Sequence, residues 1–257
     1  MSEFILKKSK EVRKQVKLRI GVSSASGFGK TFGSLRLAYG ICGDWDKIAV
    51  IDTENESGSL YCDRLGNYNV ITLKPPFSPE RYIEAITACE KAGMEVIIID
   101  SISHEWEGAG GVLELHAEQT QKEFGKNSYT AWAKITPRHN KFLQKILQST
   151  AHIITTSRRK QDYEMFKTDD GKTKIQKLGT KEITREGFEY ELMINFEIYD
   201  NNHYARASKD RSSLFADRDA FILTEDIGKE LIDWANRGTN PTEEAINILN
   251  LALILLT

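Results

Sequence analysis

The stretch SASGFGKT, residues 24–31, decides the fold, because it lies between a predicted strand at residues 18–23 and a predicted helix at residues 30–41. Its later glycines allow the backbone to turn so that successive N–H groups face one anion. The positive end of the following helix adds to that field. The pattern matches the phosphate-binding loop G-x-x-x-x-G-K-[ST], with Ser24 in place of the first glycine. We therefore predict that this loop binds the phosphates of a nucleotide.

The residues of the loop have different expected roles. Lys30 is expected to reach the β- and γ-phosphates, and the Thr31 hydroxyl is expected to bind Mg²⁺. Ser24 affects the first turn of the loop and not the part that faces the phosphates. The predicted nucleotide-binding residues of the loop are Ser24, Ala25, Ser26, Gly27, Phe28, Gly29, Lys30 and Thr31.

A second motif is the apolar run EVIIID, residues 95–100, which is short enough to be a strand buried on both faces. An acidic residue at the end of such a strand, next to a phosphate loop, can hold Mg²⁺, usually through water. An apolar run that ends in Asp is weak evidence alone, but a phosphate loop about 70 residues upstream makes the combination specific. Asp100 is therefore predicted to bind the metal together with Thr31, and the predicted cofactors are ATP and Mg²⁺.

Strands and helices alternate along the chain, which is typical of a parallel sheet with crossover helices. Residues 163–181 are polar and contain Asp170-Gly171, a pair typical of a hairpin turn. The predicted fold class is α/β, a mainly parallel twisted sheet flanked by helices, with antiparallel strands at its C-terminal edge. Further strands are predicted at residues 47–52, 152–156, 189–199 and 203–208, and further helices at about 80–92, 129–149, 226–236 and 242–256.

The composition excludes several classes of protein. The 257 residues contain 40% hydrophobic residues and carry a formal net charge of −2, so neither a disordered chain nor a generally basic nucleic-acid binder is expected. Cys42, Cys62 and Cys89 form no C-x-x-C pair, which argues against a disulfide framework or a zinc site and favours a reducing cytoplasm. The charged N-terminus has no signal-peptide core, and the longest apolar run, residues 246–256, is about half of a membrane span. No membrane segment is expected.

The second predicted strand ends in Ile51-Asp52-Thr53-Glu54, and at this point the sequence resembles the RecA-like recombinase ATPases. In that family the Glu of a D-[AT]-E segment is the catalytic base, so the resemblance implies that Glu54 activates the water that attacks the γ-phosphate. The resemblance also implies that Tyr61 stacks near adenine and that Asp100-Ser101 ends the metal-binding strand. On the residues alone, Glu54 could instead be a solvated helix-capping acid and Tyr61 an ordinary packing residue.

The segment ASKDR, residues 207–211, follows a predicted strand near the C-terminal side. RecA-like assemblies have a K-x-[KR] pair there, which reaches across the subunit interface to the neighbour's γ-phosphate. The resemblance implies that Lys209 and Arg211 stabilise transition-state charge, worth roughly 10³–10⁵ in rate in comparable NTPases. It thereby implies a homo-oligomer with active sites between subunits, and a solvated basic turn is the alternative. The family's γ-phosphate sensor would be Thr156 or Ser157, and the sequence leaves that assignment open.

Further segments resemble, more specifically, the phage-encoded AAA or RecA-like ATPases found beside phage recombination genes. The resemblance implies an ATPase domain at residues 17–238, with a charged extension at 1–16 and a C-terminal helix at 239–257. It also implies single-stranded DNA and other phage recombination or replication proteins as partners, in the bacterial host cytoplasm. His104 and His139 belong to no cluster with metal spacing and are predicted to be hydrogen-bonded structural residues. The segments are residues 100–107, 132–140, 157–163 and 185–190, and the similarity covers about 17–236.

In RecA-like proteins a DNA-binding loop lies between the fourth strand and the closing strands, and residues 158–185 correspond to it here. This segment contains nine Lys or Arg against five Asp or Glu, so it carries four excess positive charges in a chain whose total is −2. Aromatic residues interleaved with basic ones suit the stacking of single-stranded nucleic acid. Arg158, Arg159, Lys160 and Tyr163 are therefore predicted DNA contacts, with a solvated hairpin of mixed charge as the alternative.

These patterns together predict a Mg²⁺-dependent ATPase. One alternative is a nucleotide-gated DNA- or protein-binding module, in which ATP sets assembly and hydrolysis is negligible. A hexameric DNA motor is a second alternative, although the short chain contains no recognisable helicase accessory domain. A small-molecule kinase is disfavoured because no Arg-rich lid or acceptor site can be identified.

Overall fold

A computed structural model describes residues 6–9, 16–167 and 173–237, with the backbone alone described for residues 163–167 and 173–178. The strands are β1 (Arg19–Ser24), β2 (Ile48–Asp52), β3 (Asn69–Thr72), β4 (Val96–Asp100), β5 (His152–Lys167), β6 (Thr173–Glu182), β7 (Ile194–Ile198), β8 (Tyr204–Asp210) and β9 (Phe221–Ile222). The helices are α1 (Lys30–Cys42), α2 (Pro79–Lys91), α3 (Ser103–Glu107), α4 (Val112–Lys122), α5 (Ser128–Gln148), α6 (Phe188–Glu191) and α7 (Glu225–Ala235). None of the helices in these ranges is long and apolar enough to cross a membrane.

The described strands form one sheet in the order β3-β2-β4-β5-β1-β7-β8-β9, and β6 pairs with β5. The strands from β3 to β7 are parallel in this order, whereas β8 and β9 join the C-terminal edge in antiparallel pairs. This arrangement confirms the predicted α/β fold class, and it is consistent with a P-loop NTPase core.

The central strands are apolar along their whole length because both faces of the sheet are covered. In β4, Val96 and Ile98 pack into a core that includes α1 and α7, while Ile97 and Ile99 pack into a second core with α2 and α5. Successive side chains of a strand point to opposite faces, so one run of apolar residues supplies both cores. The two helix layers hold the strand ends in place around the site.

The parallel register brings the functional motifs to one edge of the sheet. Asp52 at the end of β2 lies beside Asp100 at the end of β4. On the other side of β5, the end of β1 leads directly into the predicted phosphate loop. Ligands of open α/β sheets bind at this carboxyl edge, where loops from several strands meet.

Several features differ from the predicted elements. The helices α3 and α4 and the short strands β3 and β9 were not predicted. Strand β5 continues eleven residues beyond residue 156 to form an antiparallel hairpin with β6. The predicted strand at residues 189–199 begins only at Ile194, because Phe188–Glu191 forms a short helix after Gly187, whose φ is +87°. The predicted turn at Asp170-Gly171 and the predicted helix at 242–256 lie outside the described residues.

Candidate functional site

A cavity of about 640 Å³, here called the loop cavity, lies at the carboxyl edge of the sheet. Of the residues predicted to bind the nucleotide or metal or to act in catalysis, six line it outside the glycines: Ser26, Lys30, Thr31, Glu54, Tyr61 and Asp100. The fold thus brings the loop after β1, the segment after β2 and the end of β4 to one site. Ser24, Ala25 and Phe28 do not line the cavity, but Ser24 and Ala25 contact Lys30 and Phe28 contacts His203, which do.

The phosphate loop needs its two later glycines. Gly27 and Gly29 have φ angles of +84° and +90°, in the left-handed region that side chains other than glycine rarely adopt. A Cβ on Gly29 would also lie 2.9 Å from Nδ1 of His203, which hydrogen bonds to the Phe28 carbonyl at 2.8 Å. Gly29 caps α1 without a side-chain hydrogen bond. In the part of the chain that the structure describes, the N–H groups of Gly27, Gly29 and Lys30 donate to no acceptor, so they are available to an anion.

Lys30 is the cation of the loop cavity. Its side chain is buried, and Nζ donates to the Ala25 carbonyl at 3.2 Å and to Ser24 Oγ at 3.4 Å. Burial lowers the pKa of Lys30, and the negative charges of Asp100 and Glu54 oppose that shift. Both hydrogen bonds are long and both acceptors are uncharged, so a negatively charged phosphate oxygen can replace them at small cost.

Asp100 is fully buried at the base of the cavity and accepts two hydroxyl hydrogen bonds. Thr31 Oγ1 donates to Oδ2 and Thr156 Oγ1 donates to Oδ1, each at 2.5 Å. Burial raises the pKa of Asp100, and the two hydroxyl groups counteract part of that shift. Hydroxyl and carboxylate oxygens are the ligands that Mg²⁺ prefers, so Thr31 and Asp100 fit that ion.

Glu54 follows β2 and faces the same cavity. Its backbone N–H donates to Asp52 Oδ1 at 2.6 Å, and the N–H of Gly58 donates to Oδ2 at 2.7 Å, so the buried Asp52 shapes the turn that carries Glu54. Ser101 Oγ donates to Glu54 Oε1 at 3.1 Å. Arg158 forms a two-pronged ion pair with the same carboxylate, with Nε 2.8 Å from Oε1 and Nη2 on Oε2.

The environment keeps Glu54 ionised at neutral pH. Burial alone would raise the pKa of Glu54, but the hydrogen bonds and charge of Arg158 outweigh it, helped by His104 and Ser101. The pKa of Glu54 is therefore lowered from its ordinary value. An ionised carboxylate is the form of a glutamate that can accept a proton from water.

Aromatic and cationic side chains form the outer wall of the loop cavity. Tyr61 packs edge-on against Phe32, with 5.6 Å between ring centroids, and the Arg64 guanidinium lies 4.9 Å from the Phe32 ring centroid. All three residues line the cavity, and Tyr61 also contacts the core below it. This wall offers flat surfaces of the kind on which a nucleotide base can stack.

Lys209 and Arg211 do not line the loop cavity. Their positions on and just after β8 are at the opposite edge, since Asp210 pairs with Ile194 at the start of β7. Arg211 Nη2 donates to the Tyr190 carbonyl at 2.7 Å, and Lys209 Nζ donates to the Glu189 carbonyl at 2.8 Å and to that of Tyr190. Within one chain, the structure does not bring this pair to the predicted phosphate site.

The predicted DNA contacts have different surroundings. Arg158 lines the loop cavity, and Arg159 is largely buried in ion pairs with Glu182 at 3.4 Å and Glu197 at 3.3 Å. Lys160 is more exposed and lies 3.6 Å from Glu107, beside a second cavity of about 540 Å³. The side chain of Tyr163 lies outside the described side chains. Arg158 and Arg159 thus have partners inside the chain, in contrast to the free basic surface that the sequence suggested.

Several residues of the site were not found from the sequence. Arg158 pairs with Glu54, and His203 contacts the loop at Phe28. Arg36 and Arg64 lie on the cavity wall. These contacts join segments that are far apart in the chain. No local pattern marks them. The two histidines predicted as structural do form hydrogen bonds, His104 with Thr53 at 2.7 Å and His139 with the buried Glu105 at 3.0 Å.

The family model described as "AAA domain" matches residues 16–216, most of the chain and all of the elements that form the loop cavity up to His203. No curated protein matches the chain. An AAA domain with a phosphate loop suggests a nucleotide-binding ATPase. The chain therefore belongs to the AAA domain family.

Proposed function

We propose that the chain binds ATP with Mg²⁺ in the loop cavity and hydrolyses it to ADP and inorganic phosphate. The observation that carries this proposal is the convergence of Lys30, Thr31, Asp100 and Glu54 on one cavity. Lys30 and the free loop N–H groups would hold phosphate oxygens, and the oxygens of Thr31 and Asp100 would hold Mg²⁺. The bound ion supplies positive charge that offsets the charge on the phosphate oxygens.

Glu54 is the proposed general base. The oxygen of a water molecule forms a bond to the γ-phosphorus while the bond from that phosphorus to the β–γ bridging oxygen breaks. ADP leaves with the electron pair of the broken bond, and the proton of the water passes to the Glu54 carboxylate. The pKa of Glu54 is lowered, so this carboxylate is ionised at neutral pH, which is the protonation state that a base requires.

The RecA-like resemblance supports an oligomer with active sites between subunits. Lys209 and Arg211 lie away from the loop cavity of their own chain, so a role in catalysis requires them to act on a neighbouring copy. In this proposal the pair leaves the carbonyl groups of Glu189 and Tyr190 and contacts the neighbour's γ-phosphate. An ATPase rate per chain that is independent of protein concentration would argue against this role.

Single-stranded DNA is the proposed macromolecular partner, in phage recombination, annealing or replication within the host cytoplasm, alongside other proteins of those processes. The β5–β6 hairpin supports this, because the segment 158–185 carries four excess positive charges and Lys160 is exposed at its base. DNA binding would depend on salt with a log–log slope of roughly −0.7 per phosphate contact. Lys160→Ala should weaken binding, whereas Lys229→Ala, an exposed lysine on α7, serves as the matched control.

Phosphate release, measured with and without single-stranded DNA, tests the proposed function. Wild-type protein should release phosphate from ATP in the presence of Mg²⁺, and Lys30→Ala should not. If wild-type protein binds ATP but releases no phosphate under either condition, the nucleotide-gated module replaces the ATPase. If wild-type protein does not bind ATP, both the ATPase and the nucleotide-gated module are rejected.

A further inference from the structure

The proposed base of this site is held by an arginine. Arg158 donates two hydrogen bonds to the Glu54 carboxylate, one to each oxygen, and Ser101 donates a third, to Oε1. Glu54, Arg158 and Lys30 all line the loop cavity. In this arrangement both oxygens of Glu54 are engaged, so the carboxylate is poorly placed to orient a water molecule and accept its proton.

The guanidinium of Arg158 has a second acceptor available in the same cavity once a nucleotide is bound. An arginine fork matches the oxygens of a phosphate as well as those of a carboxylate, and it donates to both in two-pronged pairs. The γ-phosphate of ATP, placed between Lys30 and Glu54, would carry more negative charge than the carboxylate and would compete for the fork. ADP has no γ-phosphate and would leave the pair in place.

The backbone around Arg158 is fixed, so the exchange needs only its side chain. Its N–H donates to Ser103 Oγ at 2.9 Å, and its carbonyl accepts the N–H of Ile183 at 2.7 Å. The next residue, Arg159, is anchored by Glu182 and Glu197 on the other side of the strand. Arg158 also lies where β5 leaves β1 and continues into the hairpin with β6, so its position depends on that hairpin.

We propose that Arg158 is a positioning residue that alternates between the Glu54 carboxylate and the γ-phosphate of ATP. It holds the base in the free and ADP-bound protein, and it releases the base when a triphosphate is bound. This inference rests on the proposed function, since it assumes that the loop cavity binds ATP. It assigns to Arg158 a role in the nucleotide site in place of the DNA contact predicted from the sequence.

A double-mutant cycle in nucleotide binding tests this exchange. The affinities of a non-hydrolysable ATP analogue and of ADP are measured with Mg²⁺ for wild-type protein, Glu54→Gln, Arg158→Ala and the double variant. Glu54→Gln weakens the competing acceptor, so it should tighten binding of the analogue about tenfold, which corresponds to about 1.4 kcal/mol. Binding of ADP should change little. In the Arg158→Ala background the gain from Glu54→Gln should disappear.

The chain offers a closely matched control. Arg138 forms the same two-pronged pair with Glu80, with Nε 2.7 Å from Oε1 and Nη2 2.8 Å from Oε2, and its side chain is 34% exposed against 37% for Arg158. Neither Arg138 nor Glu80 lines the loop cavity. Arg138→Ala should therefore leave the ratio of analogue to ADP affinity unchanged, while Arg158→Ala should reduce that ratio.

The outcomes separate this inference from the proposed function. If Glu54→Gln tightens analogue binding equally with and without Arg158, simple repulsion by Glu54 explains the gain and the exchange is rejected. If nucleotides bind in a Lys30-dependent way but Arg158→Ala affects ATP analogue and ADP alike, the exchange is rejected and the ATP site stands. If wild-type protein binds no nucleotide, the proposed function itself fails. Should Arg158→Ala not fold, Arg158→Lys keeps the charge without the fork and should show a smaller change of the same sign.

Discussion

Replacing Glu54 by Gln removes the proposed base while keeping the shape of the site. Gln has the same length, and its carbonyl oxygen can still accept the hydrogen bond that Ser101 donates at 3.1 Å. The amide cannot take up the proton of the attacking water. General bases typically contribute about 10²–10⁴ in rate, so turnover should fall by that factor, or about 2.7–5.4 kcal/mol at 1.36 kcal/mol per factor of ten.

The same substitution should cost little stability. It weakens the ion pair with Arg158, whose side chain is 37% exposed while that of Glu54 is 21% exposed. A pair so open to solvent is screened and contributes at most about 1 kcal/mol to the free energy of unfolding. The loss of turnover should therefore exceed any loss of folded protein by a wide margin.

Phosphate release at saturating ATP and Mg²⁺ measures the effect, with thermal unfolding measured in parallel. Glu80→Gln is the control, because Glu80 makes the same kind of pair with Arg138 outside the loop cavity. Glu54→Gln should bind ATP but hydrolyse it at least a hundredfold more slowly (about 10² as the lower bound for a general base), and Glu80→Gln should resemble wild-type protein. Hydrolysis by Glu54→Gln at the wild-type rate would refute the assignment of the base.

Three further predictions concern the metal, the packing of two helices and the dependence of stability on pH. Asp100→Asn should abolish the increase in ATP affinity that Mg²⁺ causes. ATP titrations with and without Mg²⁺ measure this increase, and an increase equal to that of wild-type protein would contradict the prediction. Gly40→Ala would bring a Cβ to 2.0 Å from the Glu225 carbonyl oxygen, so α1 and α7 must separate, at a cost of about 1–3 kcal/mol. An unfolding temperature equal to that of wild-type protein would speak against that contact. Burial lowers the pKa of His152 from 6.5 to about 3, and its Nδ1 accepts the N–H of Leu18 at 3.0 Å. As the pH falls below 6.5, His152 is protonated in the unfolded chain but not in the folded chain, which takes up the proton only at about pH 3. The free energy of unfolding should therefore decrease by up to about 1.4 kcal/mol for each pH unit by which the pH falls between these two values. Urea unfolding at several pH values measures the free energy of unfolding as a function of pH. This dependence on pH should be weaker for His152→Asn than for wild-type protein, and an equal dependence would exclude His152 as its source.

The parts of the site that the sequence predicted are those encoded by short continuous patterns. The phosphate loop combines glycines, Lys30 and Thr31 within eight residues, and Asp100 ends an apolar run that only a buried strand explains. The parallel register then brings Asp52 next to Asp100 and carries Glu54 into the same cavity. Local pattern and sheet topology are enough to assemble these groups.

The remaining contacts depend on tertiary structure that no local pattern reveals. Arg158 and Glu54 are 104 residues apart, and His203 and Phe28 are 175 apart. A count of the charges in residues 158–185 cannot distinguish Arg158 from its basic neighbours. It does not show that the Arg158 side chain lines the loop cavity. Arg159 illustrates the same point, since two glutamates from β6 and β7 neutralise it within the fold.

Two of the differences from the predicted elements have a local explanation. The edge strand β3 is short and mostly exposed, so it lacks the run of apolar residues that identifies the central strands. In residues 188–192, FEYEL, apolar and acidic residues alternate with the period of a strand, although Phe188–Glu191 forms a helical turn. Gly187 in the left-handed region sets the start of that turn, and Phe188 anchors it in the core.

Equilibrium binding of ATP with Mg²⁺ to wild-type protein and to Lys30→Ala tests the nucleotide site most directly. The charged hydrogen bonds that Lys30 would donate to the phosphates are each worth about 1.5–3 kcal/mol, so the variant should bind at least about tenfold more weakly. Thermal unfolding must show that the variant is folded, since Lys30 is buried and contacts Ser24 and Ala25. Loss of affinity in a folded variant is the predicted result. Equal affinity of the folded variant and wild-type protein would mean that the loop cavity is not the ATP site.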